Sequence, residues 1–259
     1  MKRIIITGAS SGIGKALAKY YASHLQEKCE IFLCARRIEK LEDLKNELIK
    51  YNARIHVQRL DIKNKNSTQD WIKSCFKTTP IDLVIANAGI SGGSGDQTIE
   101  PLDQAEAIIN INVNGVLYTS MPALEEMERQ GFGTIGLVSS MAGYHGFPGA
   151  AAYGASKAAV KSLAESWRTA YSDKNIHIAC ICPGFVKSEI TDANDFKMPF
   201  LMEDHKAAKI IAKGLDKKKA MIAFPTIMRF ASWFISILPY WISDQIIKNS
   251  PTKPKNKSL

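Results

Sequence analysis

The chain has 259 residues, of which 46% are hydrophobic and 23% are charged, and its formal net charge is +9. This length suits one large α/β domain, and this composition excludes collagen, coiled coils and wholesale disorder. Four of the lysines lie in the acid-free segment 248–259, so the charge predicts a solvated basic surface and no nucleic-acid partner.

Short apolar runs alternate along the chain with longer segments whose apolar residues recur every three or four positions. Segments such as 12–27, 39–50 and 152–172 are predicted helices. The predicted strands cover residues 2–7, 30–35, 54–59, 81–86, 133–139, 176–182 and 219–224. Several of these strands are apolar on both faces, which is typical of a parallel sheet covered by helices on both sides. We therefore predict α/β architecture, a single doubly wound Rossmann domain with about seven strands.

The last part of the chain is more apolar. No charge occurs between Phe230 and Ile242, but these thirteen residues are interrupted by Pro239 and are too short to span a bilayer. We predict a catalytic domain over residues 1–225 with a substrate loop at about 185–215. A hydrophobic helical extension (226–247) and a basic disordered tail (248–259) follow. The extension could contact a membrane, a partner subunit or the protein's own core, and the sequence leaves these alternatives open.

The cysteines and histidines indicate neither disulfides nor a metal centre. Five cysteines without C-x-x-C spacing are too few for a disulfide scaffold, and the histidines form no H-x-x-x-H pair. The apolar run at residues 4–6 is far shorter than the core of a signal peptide. We therefore expect reduced thiols, no metal and a cytoplasmic protein, with membrane association through the extension as the alternative.

A glycine-rich turn follows the first predicted strand and leads into a helix. Its residues are Thr7, Gly8, Ala9, Ser10, Ser11, Gly12, Ile13 and Gly14. Glycines at such a turn let backbone N–H groups and a helix N-terminus approach a pyrophosphate without interference from Cβ atoms. The spacing G-x-x-x-G-x-G is a variant of the Rossmann fingerprint, and it predicts a dinucleotide site.

The end of the second strand bears on which dinucleotide binds. An NAD-preferring enzyme usually carries an acid there for the ribose 2′-hydroxyl, whereas this chain has Arg36 and Arg37. An arginine can bind the 2′-phosphate of NADP through charge-assisted hydrogen bonds. We therefore predict NADP(H) as the cofactor and favour Arg36 over Arg37 as the ligand.

A group of polar residues predicts acid–base chemistry. Tyr153 and Lys157 are four residues apart and therefore lie on one face of a predicted helix, where the ammonium favours ionisation of the phenol. Ser140 lies thirteen residues before the tyrosine, just past a buried strand, and its hydroxyl could hold a carbonyl oxygen beside the phenol. Combined with the glycine turn, this spacing is specific.

These motifs resemble the short-chain dehydrogenase/reductase family, and the resemblance runs from Lys2 to about Ser188. At the position of Ser188 the family usually has threonine. By this resemblance the catalytic tetrad is Asn112, Ser140, Tyr153 and Lys157. Asn114 is a rival for the role of Asn112, but Asn112 fits the family's N-x-x-G pattern, which ends at Gly115. Ser139 is a rival for the role of Ser140 and is disfavoured by its spacing to the tyrosine. The implied cofactor-binding residues are Thr7, Gly8, Ser10, Ser11, Gly12, Ile13, Gly14, Arg36, Asp61, Ile62, Asn87, Ala88, Gly89, Tyr153, Lys157, Pro183, Gly184 and Val186.

The resemblance implies hydride transfer between NADP(H) and the carbonyl or alcohol group of a small to medium apolar substrate. In this family's mechanism Ser140 orients the carbonyl, Tyr153 donates the proton, and Lys157 lowers the tyrosine pKa and holds the nicotinamide ribose. Asn112 anchors a water. The family also implies a homodimer or homotetramer, formed through helices around 104–129 and 152–172.

Two alternative functions remain at this stage. The hydrophobic extension would suit a membrane-surface reductase of a lipid or 3-ketoacyl-type ketone. A non-catalytic NADP-binding regulator or scaffold could use the same fold, although the complete tetrad argues against it.

Overall fold

Parallel strands form one sheet in the computed structural model, which describes residues 1–248 and 250–256. The strands are β1 (Lys2–Thr7), β2 (Cys29–Ala35), β3 (Arg54–Arg59), β4 (Leu83–Ala86), β5 (Gly133–Val138), β6 (Ile176–Pro183) and β7 (Met221–Phe224). Their spatial order is β3-β2-β1-β4-β5-β6-β7. The predicted doubly wound sheet is confirmed, and its strand order reverses between β1 and β4, where ligands bind in open α/β sheets.

Helices cover both faces of this sheet. The α-helices of the described residues are α1 (Gly12–Leu25), α2 (Ile38–Leu48), α3 (Lys65–Thr78), α4 (Leu102–Ile109), α5 (Gly115–Gln130), α6 (Ala151–Ala170), α7 (Glu189–Asp192), α8 (Asp204–Asp216), α9 (Thr226–Ile237) and α10 (Tyr240–Ile247). Strand β1 shows how the two layers share the sheet, because Ile4 and Ile6 join the core on one face and Ile5 joins the core on the other. All three side chains are fully buried, as expected for a central parallel strand.

One helix predicted as continuous is interrupted. Between α4 and α5, residues 110–114 form a single π-helical turn, in which the Gly115 N–H bonds to the Asn110 carbonyl. This turn buries Asn112 completely. A Cβ atom on Gly115 would overlap the side chain of Ile62, so glycine permits this close approach. Turns of this kind often occur at functional sites.

The segment predicted as a substrate loop is shorter than 185–215. Residues 204–215 belong to α8, and this helix buries Ala207, Ile211 and Leu215 in the same core as α1. The loop therefore ends at about residue 203. Where the loop joins α8, the side-chain atoms of Glu203, Asp204 and His205 that could bind a metal lie within 4.8 Å of one another. Clusters of acidic groups at the surface are common without a metal, so this cluster does not by itself indicate a metal site.

Helix α9 leaves its large apolar side chains in solvent. The residues that we call the α9 apolar face are between 50% and 64% exposed, and they are Ile227, Phe230, Trp233, Phe234 and Ile237. Helix α9 has no buried residue, whereas α10 buries Ser243 and Ile247, so the three alternatives for the extension stay open. Within residues 1–248 and 250–256, no helix is long and apolar enough to cross a membrane.

The tail also differs from its prediction as a disordered segment. The residues that we call the tail strap (250–256) lie against the loop after β4, where the Gly93 and Gly95 N–H groups donate to the carbonyls of Pro254 and Lys253 at 2.9 and 3.0 Å. The lysine- and proline-rich composition does not reveal that glycines far away in sequence present N–H groups to it. Residues 249 and 257–259 of the predicted tail lie outside the described residues.

Candidate active site

The glycine turn is held by hydrogen bonds between β1 and β4. The Thr7 hydroxyl accepts from the backbone N–H groups of Asn87 and Ala88, both at 3.1 Å. The Asn87 side-chain amide donates to the carbonyls of Thr7 and Gly8 at 2.9 and 3.2 Å. These bonds fix the position of the turn at the point where the strand order reverses.

The backbone packs so closely in this turn that side chains would not fit. A Cβ atom on Gly8 (φ +68°) would lie 2.6 Å from the Ala88 Cα, and one on Gly14 would lie 2.5 Å from the Gly8 carbonyl oxygen. Gly12 (φ +52°) likewise approaches Ser188. The turn then enters α1, whose N-cap Ser11 makes no side-chain capping bond within the described chain. Such a turn at a helix N-terminus fits a dinucleotide pyrophosphate.

The structure separates the roles of the two arginines after β2. Arg37 donates to Glu189 Oε2 at 2.7 Å and to Ser10 Oγ at 3.1 Å. Arg36 is exposed, and no residue of the described chain pairs with its guanidinium. Arg36 lines a cavity of about 370 Å³ with Arg59, Leu60, Asp61, Asn64 and Ser67. The free guanidinium is therefore Arg36, the residue favoured by the sequence.

Arg59 was missed by sequence reasoning although it lines the same cavity. It ends β3, and its register partner on β2 is Ala35, the residue before Arg36. Neighbouring parallel strands bring their carboxyl ends to one edge of the sheet, so the strand register was the signal that could have found it. Two cations, Arg36 and Arg59, thus line the cavity.

Glu189 is a second residue that the sequence did not single out. Its carboxylate accepts from Arg37 and, at 2.6 Å, from Lys40. Hydrogen bonds from these two cations lower the pKa of Glu189 to about 2, so the ion pairs persist at neutral pH. Helix α7, which carries Glu189, is therefore tied to the glycine turn through Arg37.

Tyr153 and Lys157 lie on one face of α6, as their spacing predicts. The Lys157 Nζ is 5.8 Å from the centroid of the tyrosine ring and donates to the Val138 carbonyl at 3.0 Å. Only 5% of Lys157 is exposed. Burial is the main cause that lowers the pKa of Lys157 to about 8, because desolvation disfavours the charged form.

Ser140 follows β5 and reaches the same phenol. Burial raises the pKa of Tyr153, and a hydrogen bond with the Ser140 side chain acts in the opposite direction. The rival Ser139 is buried and donates to the Lys157 carbonyl at 2.7 Å. The geometry therefore favours Ser140 for contact with a substrate, while Ser139 packs β5 against α6.

Asn112 lies on the π turn, next to the lysine. Its side-chain oxygen accepts from the Ile90 N–H at 2.8 Å, and its nitrogen donates to the Ile90 carbonyl at 2.9 Å and to Ser156 Oγ at 3.0 Å. A Cβ atom on Gly89 would lie 3.0 Å from the Asn112 oxygen and 3.4 Å from the Lys157 Nζ. The Asn112 amide thus joins the loop after β4 to α6. The rival Asn114 donates to Asn110 at the surface.

The other predicted cofactor-binding residues lie at the same edge of the sheet. Asp61 and Ile62 follow β3, and the Asp61 carboxylate accepts from the Lys63 N–H at 3.2 Å. Gly184 follows β6 and donates to the Phe224 carbonyl at 2.8 Å, and Val186 pairs with Met202 in an isolated bridge. The predicted site residues are therefore brought together at one edge, and their individual roles stay predictions.

Known proteins match this chain over most of its length. Residues 2–198 match the model of the short chain dehydrogenase family. An oxidoreductase from Myxococcus xanthus is 35% identical over 236 residues, which cover 91% of this chain and 92% of that protein. A dehydrogenase/reductase SDR family protein 7-like from Drosophila melanogaster is 31% identical over 195 residues, which cover 73% of this chain and 59% of that protein.

Solved structures share the fold. A short-chain dehydrogenase from Sphingobium yanoikuyae in complex with NADPH has a TM-score of 0.79 and 20% identity, with full coverage of both chains. A short chain dehydrogenase/reductase from Burkholderia phymatum in complex with NAD has a TM-score of 0.80 and 21% identity, with 98% of both chains covered. Given the match to the family model and the relatives, this chain belongs to the short-chain dehydrogenase/reductase family of Rossmann-fold oxidoreductases.

Proposed function

We propose that the protein is an NADP(H)-dependent reductase of the carbonyl group of a small to medium apolar substrate, or oxidises the corresponding alcohol. The observation that carries the proposal is the meeting of Ser140, Tyr153 and Lys157 at the edge of the sheet where the glycine turn lies. This arrangement supports transfer of a proton from a phenol to a carbonyl held by a hydroxyl, beside a site that fits a dinucleotide.

In this proposal each side chain has one task. A bound nicotinamide supplies the hydride. The Ser140 hydroxyl holds the carbonyl oxygen, and the Tyr153 phenol donates the proton to it. The Lys157 ammonium stabilises the phenolate that remains, an effect strengthened by the burial of the lysine. Asn112 keeps the loop after β4 in place through its bonds to Ile90.

The preference for NADP(H) over NAD(H) depends on Arg36. Its guanidinium faces the cavity that Asp61 also lines, and it has no carboxylate partner among the described residues. Nicotinamide cofactors of both kinds are bound by proteins with this fold, so the fold does not decide between them. A free arginine at the end of β2 supports binding of a 2′-phosphate.

Replacing Arg36 with alanine is expected to raise the Kd for NADPH about 10- to 100-fold, because a hydrogen bond to a charged group contributes about 1.5–3 kcal/mol. The Kd for NADH should change less than about twofold, since NADH has no 2′-phosphate. Fluorescence titration of both cofactors measures this difference. Arg54→Ala, at the opposite end of β3, is the matched control and should bind both cofactors like the wild type. A wild type that prefers NADH would contradict the proposal.

The α9 apolar face supports a second candidate, a membrane-surface reductase of a lipid or 3-ketoacyl-type ketone. Five large apolar side chains share this face. Arg229 is exposed on α9, and Lys248 is exposed directly after α10. Helix α9 has no acidic residue. An exposed apolar helix face next to basic residues favours the interface of an anionic bilayer.

Sedimentation with vesicles of phosphatidylglycerol and phosphatidylcholine tests this candidate. The wild type should pellet with the vesicles, whereas Trp233→Glu should remain in the supernatant because a charge would enter the acyl region. Ile49→Glu changes an exposed apolar residue of another surface and should pellet like the wild type. Wild-type protein that stays in the supernatant at every lipid concentration would contradict membrane binding. A variant that changes the oligomeric state instead would assign the face to a subunit interface.

The remaining expectations stay predictions. The family resemblance supports a cytoplasmic homodimer or homotetramer, whose mass in solution is measurable by analytical ultracentrifugation. A regulator or scaffold that binds NADP without catalysis is the third candidate. Loss of activity in Tyr153→Phe would distinguish an enzyme from such a regulator or scaffold.

A further inference from the structure

The tail strap occupies a fitted place beside the candidate active site. It lies between the loop after β4 and the residues before α6, where a Cβ atom on Gly149 would lie 2.7 Å from Thr252 Cγ2. A Cβ atom on Gly93 would overlap the Lys253 carbonyl. The Asn256 N–H donates to Gln104 Oε1 at 2.6 Å. Two glycines and a buried glutamine thus form a groove for this segment.

The strap carries a lysine to the catalytic tyrosine. The Lys253 Nζ lies 4.2 Å from the centroid of the Tyr153 ring, nearer than the Nζ of Lys157 at 5.8 Å. It also donates to Ser91 Oγ at 2.8 Å. Two ammonium groups therefore lie beside one phenol ring, and one of them comes from a segment that the family motifs do not include.

These two positive charges have no negative partner within the described chain. Neither Lys157 nor Lys253 forms an ion pair with a carboxylate of residues 1–248 or 250–256, and the acceptors of their hydrogen bonds are the neutral Val138 carbonyl and Ser91 hydroxyl. Burial lowers the pKa of Lys253 to about 8. Lys157 is buried and Lys253 is half-buried. A cation that has lost solvent and has no counter-ion favours binding of an anion, because the anion restores the charge balance.

We propose that the tail strap forms one wall of the active site and that Lys253 is a specificity-determining residue, whose ammonium binds a carboxylate carried by the substrate close to its reacting carbonyl. This proposal rests on the proposed function, since it takes Tyr153 as the group that meets the carbonyl. The preferred substrate then has an apolar body and one acidic group. An ion pair at Lys253 orients the carbonyl toward the phenol, and correct orientation of this kind accelerates a reaction.

The test compares neutral and acidic aldehydes with the full-length protein and NADPH. The substrates are benzaldehyde and its 2-, 3- and 4-carboxy derivatives. With at least one acidic isomer, the wild type should show a kcat/KM at least tenfold above that for benzaldehyde. Lys253→Met keeps the aliphatic stem and should lower kcat/KM for the preferred acidic isomer at least tenfold more than kcat/KM for benzaldehyde, mainly through KM. Lys255→Met, in the same strap, is the matched control and should keep the wild-type preference.

A binding measurement makes the test independent of turnover. Isothermal titration of benzoate into the protein saturated with NADP⁺ should show binding in the wild type and at least tenfold weaker binding in Lys253→Met. If no aldehyde is reduced but benzoate binds in this lysine-dependent way, the proposed function fails and the anion site stands.

Three outcomes would overturn the proposal. Wild-type protein that binds no benzoate and shows no preference for an acidic aldehyde has no anion site at Lys253. An equal loss for neutral and acidic aldehydes in Lys253→Met, with a shifted pH profile, would mean that the lysine acts on Tyr153 alone. A gain for both kinds of substrate would mean that the strap obstructs the site.

Discussion

Tyr153→Phe is expected to lower kcat/KM for carbonyl reduction about 10³-fold, while the Kd for NADPH stays within about threefold of the wild type. Removing the phenol oxygen removes the proton donor, and general acid catalysis contributes about 10²- to 10⁴-fold. The ring remains, so the packing beside Lys157 and Lys253 is kept. Steady-state oxidation of NADPH with an aldehyde and fluorescence titration of NADPH measure the two quantities.

Tyr171→Phe is the matched control for this change. Tyr171 follows the C-terminal end of α6, where its hydroxyl donates to Glu128 at 3.3 Å. Loss of the Tyr171 hydroxyl should leave kcat/KM unchanged. Activity that persists in Tyr153→Phe would contradict the catalytic assignment. A wild type that binds NADPH tightly but reduces none of the carbonyl compounds offered would favour a regulator or scaffold instead.

Gly8→Ala is expected to reduce the free energy of unfolding by about 2–5 kcal/mol and to abolish measurable NADPH binding. The left-handed backbone of Gly8 (φ +68°) costs a residue with a Cβ about 1–2 kcal/mol, and the new atom would lie 2.6 Å from the Ala88 Cα. Overpacking adds about 1–3 kcal/mol. Relief of the overlap has to separate β1 from β4, where the dinucleotide is expected to bind.

Gly131→Ala separates the cost of the left-handed backbone from the cost of overlap between the new Cβ atom and its neighbours. Gly131 also has a positive φ, +81°, but within the described chain no atom lies within 4 Å of the position that its Cβ would take. We expect this variant to lose only about 1–2 kcal/mol and to bind NADPH normally. Urea denaturation and NADPH titration of both variants provide the comparison. Equal losses of stability would mean that Ala88 moves away at no cost and would contradict the close-packing explanation.

The sequence by itself determined the features that depend on neighbours along the chain. The alternation of apolar runs and helical segments predicts the strands because the five central ones are buried on both faces and a helix that covers a sheet is buried on one. The glycine turn is recognisable because its backbone conformation and close contacts, as at Gly8, require residues without a Cβ. Tyr153 and Lys157 are recognisable as a pair because four residues make about one helical turn.

Only the tertiary structure decided the features that depend on residues far apart in sequence. The sequence favours Arg36 over Arg37 as the ligand without showing what holds Arg37 elsewhere, and the structure supplies this partner in Glu189, which lies 152 residues after Arg37 and pairs with it. The tail reads as disordered from its composition, yet Lys253 bonds to Ser91, 162 residues earlier. Such contacts form only when the sheet brings its loops to one edge. The spacing of apolar residues along the sequence does not indicate which distant groups meet there.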